Sequence, residues 1–140
     1  ISLDIDDFKK INDSYGHAIG DRVLASIAKV IKKEMRQMDI LARYAGDEFV
    51  AIMPMASAMM ASMVAERIRS AVEAQKFQVR TGKVVEVGVS LGISCFPNDG
   101  ETTEQLLTAA ARNMQQDKHA RKLVPTLAES LNAAALDNFR

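Results

Sequence analysis

The stretch Arg43-Tyr44-Ala45-Gly46-Asp47-Glu48-Phe49-Val50 decides the fold. Ile40-Leu41-Ala42-Arg43-Tyr44 on one side of the turn and Phe49-Val50-Ala51-Ile52-Met53 on the other both read as strands. Gly46 and two acids between them have the composition of a tight hairpin. Glycine there admits φ > 0 and lets a ligand lie against the backbone. Asp47 and Glu48 repel each other on an exposed tip, so the pair is expected to hold a cation or to form a polar turn. Taken alone, an ordinary Gly-Asp hairpin is the simpler reading.

A second acidic cluster lies upstream. It runs Leu3-Asp4-Ile5-Asp6-Asp7-Phe8-Lys9-Lys10-Ile11-Asn12-Asp13-Ser14-Tyr15-Gly16-His17-Ala18-Ile19-Gly20-Asp21. Ile1 to Ile5 alternates as a strand with Ile1, Leu3 and Ile5 on one face, which puts Asp4 on the other. Asp6 or Asp7 is expected to cap a short helical turn from Phe8 to Ile11. Tyr15-Gly16-His17 reads as a loop, with His17 a polar loop residue.

Together the two stretches resemble the GGDEF family, the diguanylate cyclases. The shared pattern is Asp-x-Asp-x-Phe-Lys-x-Ile-Asn-Asp-x-Tyr-Gly-His-x-x-Gly-Asp followed by Arg-x-Gly-Gly-Asp-Glu-Phe, and matches run from Leu3 to about Lys118. The resemblance implies an α+β fold like the palm of polymerases and class III nucleotide cyclases. It implies conversion of two GTP to cyclic di-GMP and two pyrophosphate by a homodimer, with Mg²⁺ or Mn²⁺ as cofactor. A catalytically inactive domain that binds cyclic di-GMP or GTP to regulate a partner is the alternative, and a purely dimerising domain a weaker third. The helix and Asp-x-Leu-Thr-x-Leu-x-Asn-Arg stretch that usually precede the family's first strand are not in this sequence. An N-terminal sensory or receiver domain outside it is therefore expected.

Residue by residue, the resemblance makes Asp4, Asp47, Glu48 and the Ile5 carbonyl the metal ligands. Asp47 and Glu48 are the catalytic pair, with Glu48 beside the metal or activating the attacking 3′-hydroxyl. Asn12 and Asp21 match the guanine-reading pair. A carboxylate accepts from guanine N1–H and N2–H₂, a donor edge that adenine lacks. The plainer alternatives are a turn-stabilising Asn12 and a helix cap at Asp21. Phe8, Lys9 and Gly46 match substrate-binding positions, and Lys118 a phosphate contact on the last helix. Lys122 stands where the family often has arginine. Arg36-x-x-Asp39 with Arg67 matches the inhibitory site for the product. Arginine suits guanine O6 and N7 or phosphate, whereas a helix-end salt bridge is the plain reading of Arg36 and Asp39.

Two departures stand out. Ala45 replaces the first glycine of the signature, and its Cβ disfavours φ > 0. The last helix should read Ala-Asp-x-Ala-x-Tyr-x-Ala-Lys. It reads Ala110-Ala111-Arg112-Asn113-Met114-Gln115-Gln116-Asp117-Lys118, which puts the aim of Lys118 in question.

The rest of the chain fits one domain over residues 1–140 with a divergent helical tail from about 124. A helix is expected from Gly20 to about Met35, with Leu24, Ile27, Ala28, Ile31 and Met35 as its apolar stripe. A second is expected from Ser57, its N-cap, to Ala74, with Met60, Val64, Ile68 and Val72 inward. The methionines between Met53 and Met63 read as flexible core filler. Strands are expected over Phe77–Arg80 and Val84–Cys95, with Cys95 an inert buried thiol. Thr102 and Gln105 form a capping box opening a helix to about Lys118, with Leu107, Ala110, Ala111 and Met114 inward. Thr126 and Glu129 suggest a further cap and a separate helix. The order β-α-β-β-α-β-β-α suits a central, mostly antiparallel sheet flanked by helices.

Composition excludes several classes. The 140 residues carry 18 Lys plus Arg and 18 Asp plus Glu, so nothing favours nucleic acid or an anionic membrane. A single cysteine rules out an intrachain disulfide and suits the cytoplasm. No apolar run is long enough to span a bilayer, although membrane anchoring of a longer protein stays open.

Overall fold

The computed structural model describes residues 1–137, apart from the side chains of residues 125 and 126. Four strands form one sheet in the order β2-β3-β1-β6: β2 Ile40–Ala45, β3 Glu48–Ile52, β1 Ser2–Ile5 and β6 Val89–Gly92. Every pairing in it is antiparallel. The strands β4 Phe77–Arg80 and β5 Lys83–Val85 form a separate hairpin. The α+β class read from the sequence is the observed one.

The register explains why both faces of β1 are buried. Leu3 lies opposite Phe49 and Leu91, and with Ile5, Ala51 and Val89 it forms a core face. That face is covered by α2 His17–Lys33 and α3 Ala58–Ala74 through Val23, Leu24, Ile27, Ile31, Val64, Ile68 and Val72. Ser2 and Asp4 alternate to the opposite face, beside Gly92 and Ser90. There they are covered by α4 Thr103–Asp137 and are buried too.

Glycine sets how closely α4 approaches. A Cβ at Gly92 would stand 2.1 Å from both the Ala110 carbonyl oxygen and the Met114 nitrogen, which are helix backbone. Two of the expected caps are present. Ser57 accepts from the Met60 N–H, and Thr102 and Gln105 bond each other's backbone N–H reciprocally.

Several expectations are corrected. The first helix, α1, is longer than a single turn, spanning Phe8–Tyr15. Asp7 occupies its N-cap position at φ 54 without a side-chain capping bond. Gly16 alone separates α1 from α2, so His17 opens a helix, and Asp21 lies inside α2, too late to cap it. Met60 is half-exposed, whereas Met55 is 94% and Met59 74% exposed. Met59 and Met60 lie off the core because α3 presents its small residues Ala61 and Ala65 inward, Met55 lies in the turn before α3, and Met53 packs against the core as expected. Cys95 lies beyond the end of β6 and is only partly buried. Ala111 faces solvent while Ala109 is buried. The tail is no separate helix, since α4 runs unbroken over 35 residues to Asp137. Leu127 and Leu131 on it face solvent. The side chain of Thr126 lies outside the described residues. No helix among them is long and apolar enough to cross a membrane.

The loop between α2 and β2 is fastened by Asp39, which is 6% exposed. It accepts from the Arg36 backbone N–H at 2.8 Å and from the Arg36 guanidinium at 2.8 and 3.1 Å. Burial alone would raise its pKa, but the Arg36 bonds outweigh burial and hold it below the usual carboxylate value.

Two outcomes follow from this packing. Gly92→Ala should lower stability by about 1–3 kcal/mol or more through overpacking against helix backbone, measured by urea denaturation. Because the folded-state pKa of Asp39 is depressed, its contribution is present above the unfolded value of about 3.9 and is lost as pH falls through the folded value. The stability gap between wild type and Asp39→Asn should therefore be widest near pH 7 and shrink below about pH 4.

Candidate active site

The hairpin turn comes first. Gly46 has φ 47, and a Cβ there would meet no atom within 4 Å, so the backbone conformation, not crowding, is what favours glycine. Ala45 is different from the expectation. It is the last residue of β2, paired with Glu48, and its φ is not positive. The substitution carries no backbone strain because the left-handed residue of this turn is Gly46. Arg43 Nε donates to the Gly46 carbonyl at 2.7 Å and fastens the turn from within.

The turn is tied to the end of β1, where the Ile5 N–H donates to the Asp47 carbonyl at 3.2 Å. Asp4 lies opposite Glu48 in register, which places both side chains on one face of the sheet. Asp4 is 4% exposed. Its Oδ2 accepts from Lys118 Nζ at 2.8 Å, and its Oδ1 is buried with no hydrogen-bond partner. Burial pushes the Asp4 pKa up, the Lys118 bond pulls it down, and the nearby Asp47 charge pushes it up again. Lys118 is raised by the same bond.

An orphaned carboxylate oxygen beside a second carboxylate fits a hard divalent cation. The described residues contain no cluster of three acidic or sulfur and nitrogen ligands. Mg²⁺ does not require one, because it is commonly held by one or two carboxylates with phosphate and water oxygens completing the octahedron. The residues therefore fit the ion.

The second half of the site lies on α1 and α2. Asn12 Oδ1 is buried and unpartnered. Gly20 makes room for it, since a Cβ there would stand 1.9 Å from that oxygen. Asp21 is exposed one residue on, with Arg43 Nη2 at 3.8 Å. Asp21 and Arg43 edge a cavity of about 270 Å³ lined also by Leu24, Ala28, Leu41 and Phe49. Phe8 is a core residue and Lys9 is exposed at the start of α1.

Arg36, Asp39 and Arg67 gather at the loop after α2. Besides Asp39, Arg36 bonds the Pro54 carbonyl at 2.7 Å, and Arg67 donates to the Glu34 carbonyl at 2.7 Å. The plain salt bridge between Arg36 and Asp39 is thus formed.

Sequence reasoning gave no site role to six residues that bond around it: Arg43, Asp6, Ser90, Arg121, Arg69 and Asp117. Arg43 spans the turn and Asp21. Asp6 accepts from the Ser90 hydroxyl at 2.6 Å and from Arg121 at 3.2 Å. Arg69 and Asp117 meet on β6. The signal available was adjacency: Arg43 lies within the hairpin motif, and Asp117 and Arg121 flank Lys118.

Residues 1–123 match the family described as "Diguanylate cyclase, GGDEF domain". Diguanylate cyclase A of Treponema denticola is 42% identical over 118 residues, which cover 84% of this chain and 32% of that protein. The chain thus spans about a third of that relative's length. Among solved structures, the GGDEF domain of YfiN from Pseudomonas aeruginosa superposes with a TM-score of 0.79 at 37% identity, over 85% of this chain and 74% of that one. The GGDEF domain of DgcB from Caulobacter crescentus, solved in complex with c-di-GMP, gives 0.77 at 30% identity over 85% and 70%. With the signature turn, the buried aspartate and the fold in agreement, this chain belongs to the GGDEF domain family of diguanylate cyclases.

Proposed function

We propose that this domain condenses two GTP into cyclic di-GMP and two pyrophosphate, each of two copies holding one GTP across a two-fold axis. The observation that carries the reading is the unpartnered Asp4 Oδ1 beside Asp47. Each 3′-hydroxyl attacks the α-phosphorus of the opposite GTP. A new P–O bond forms, the bond to the β-phosphate oxygen breaks, and pyrophosphate leaves with its electron pair. Mg²⁺ or Mn²⁺, when bound, neutralises phosphate charge. Asp4, Asp47 and the Ile5 carbonyl would hold it, and Glu48 would either join them or take the 3′-hydroxyl proton. Lys118, Lys9 and the first amides of α1 beside Phe8 bind the phosphates, and Gly46 lets them lie against the turn. Asn12 and Asp21 read guanine. Catalysis on this account is positioning and charge neutralisation, which requires the second copy because each domain supplies half of the site.

The strand conformation of Ala45 supports turnover over a receptor that has lost it, since the turn keeps its shape without the first glycine. Product feedback belongs to the same reading. Arg36, Asp39 and Arg67 bind cyclic di-GMP, and the ligand fixes two domains where their GTP sites cannot meet.

Three measurements test this. Asp47→Ala should cut metal-dependent pyrophosphate release by roughly 100-fold or more, the order seen when a transition-state charge stabiliser is removed. Undiminished release in that variant would overturn the assignment. GTP should bind at least about tenfold tighter than ATP in calorimetry with Ca²⁺, because loss of a charge-assisted pair costs ~1.5–3 kcal/mol. Asp21→Ala should narrow that gap, and equal affinities in the wild type would remove Asp21 from base reading. Arg36→Ala should weaken cyclic di-GMP binding and relieve inhibition while sparing basal turnover. Unchanged product affinity would leave Arg36 only its bonds to Asp39 and Pro54.

A further inference from the structure

The helix that departs from the family pattern carries a second set of contacts. Where the pattern has alanine at two positions, this chain has Asn113 and Asp117, and the pattern's acid and tyrosine are replaced by Ala111 and Gln115. Both substituted polar residues bond the outer edge of β6. Asn113 Nδ2 donates to the Ile93 carbonyl at 2.8 Å. Asp117 Oδ2 accepts from the Leu91 N–H at 2.9 Å and from Arg69 Nη2 at 3.0 Å. Arg69 Nη1 in turn donates to the Val89 carbonyl at 3.0 Å. β6 is the last strand of its sheet, so these side chains take the place of a neighbouring strand.

The next residue after Asp117 is Lys118, about 100° further round a helix of 3.6 residues per turn. It reaches across the sheet face to Asp4 on β1. Helix α4 therefore straddles β6, with Asn113 and Asp117 bonded to the outer edge and Lys118 extended over the inner neighbour. Gly92 holds the helix backbone against the strand between them. A rotation of about 20° would carry a side-chain tip about 6 Å from the helix axis through about 2 Å. That displacement would lengthen the 2.8 Å bond between Lys118 and Asp4 or make the flexible lysine stem leave its present conformation to keep it.

We infer that Asp117 is a positioning residue: by bonding the Leu91 N–H and Arg69 it sets the rotation of α4 that brings Lys118 to Asp4. The inference rests on the reading of Asp4 and Lys118 as the metal and phosphate end of the GTP site. The acid missing at position 111 is thus not simply lost from the helix, because an acid one residue before Lys118 orients it from the other side of the strand. A purely structural role for Asp117 would lower stability without acting through Lys118, and a double-mutant cycle separates the two.

GTP binding is measured by calorimetry with Ca²⁺ in the wild type, Asp117→Ala, Asn113→Ala, Lys118→Ala and the two double variants with Lys118→Ala. Amide exchange at Leu91 is followed in parallel. Asp117→Ala should weaken GTP binding about fivefold or more and speed exchange at Leu91. In the Lys118→Ala background the same change should cost less than about twofold. Asn113→Ala, the milder change on the same edge, should give a smaller loss that also vanishes without Lys118, and it decides the matter if Asp117→Ala does not fold. Wild-type GTP affinity in both single edge variants, or equal losses with and without Lys118, would overturn the inference. Unchanged affinity in Lys118→Ala itself would instead remove Lys118 from the substrate site, and the inference would fall with that reading.

Discussion

The structure depends on a carboxylate buried in the middle of its sheet. Asp4 sits on β1, flanked by β3 and β6 and covered by α4. A buried charge with one partner is costly, because desolvation is repaid only when the remaining lone pairs are satisfied. Lys118 satisfies Oδ2 and leaves Oδ1 without a partner. An apolar residue at this position would pack without that cost. The cost is intelligible on the proposed reading, in which the oxygen is kept for a ligand shared with the neighbouring Asp47.

The surrounding architecture serves that placement. The turn carrying Asp47 is tied to β1 through the Ile5 N–H and braced by Arg43. On the other side, Ser90 and Arg121 bond Asp6, and Arg121 also bonds Glu73 at 2.6 Å. The first strand is thus clasped at its C-terminal end by the hairpin, by β6 and by α4 together. The base-reading half is built more loosely. Asp21 is exposed and its pairing with Arg43 is long, at 3.8 Å. Such a surface pair contributes little to stability and can yield to a nucleobase at small cost. The two halves thus differ in build, the Asp4 end buried and bonded and the Asp21 end exposed.

Much of this was legible in the sequence. Hairpin composition, strand alternation and the 3.6-residue stripes placed the sheet, the helices, Asp4 and the signature turn. What escaped has physical causes. The left-handed residue was read correctly at Gly46, but a penalty was also expected at Ala45, which is ordinary strand, because backbone φ at one position is not fixed by composition. Of the methionines expected inside, Met53 packs against the core, while on α3 the alanines Ala61 and Ala65 are buried in place of Met59, Met60 and Met63. The placement of α4 could not be read from its departures from the family pattern. Asp117 and Asn113 bond backbone atoms of β6, and backbone partners leave no mark in a sequence. The tail of α4 runs on past Lys118 to Asp137, through the position where a capping signal at Thr126 suggested a boundary.

The central claim is that Asp4 keeps its second oxygen for a divalent cation shared with Asp47. The most direct measurement is a Mn²⁺ titration with GTP present, following the free ion by electron paramagnetic resonance, in the wild type and in Asp4→Asn. The account predicts uptake of Mn²⁺ by the wild type and an affinity at least about tenfold weaker in the variant, since the amide removes the charge while keeping the shape. Equal uptake by the two proteins would contradict it.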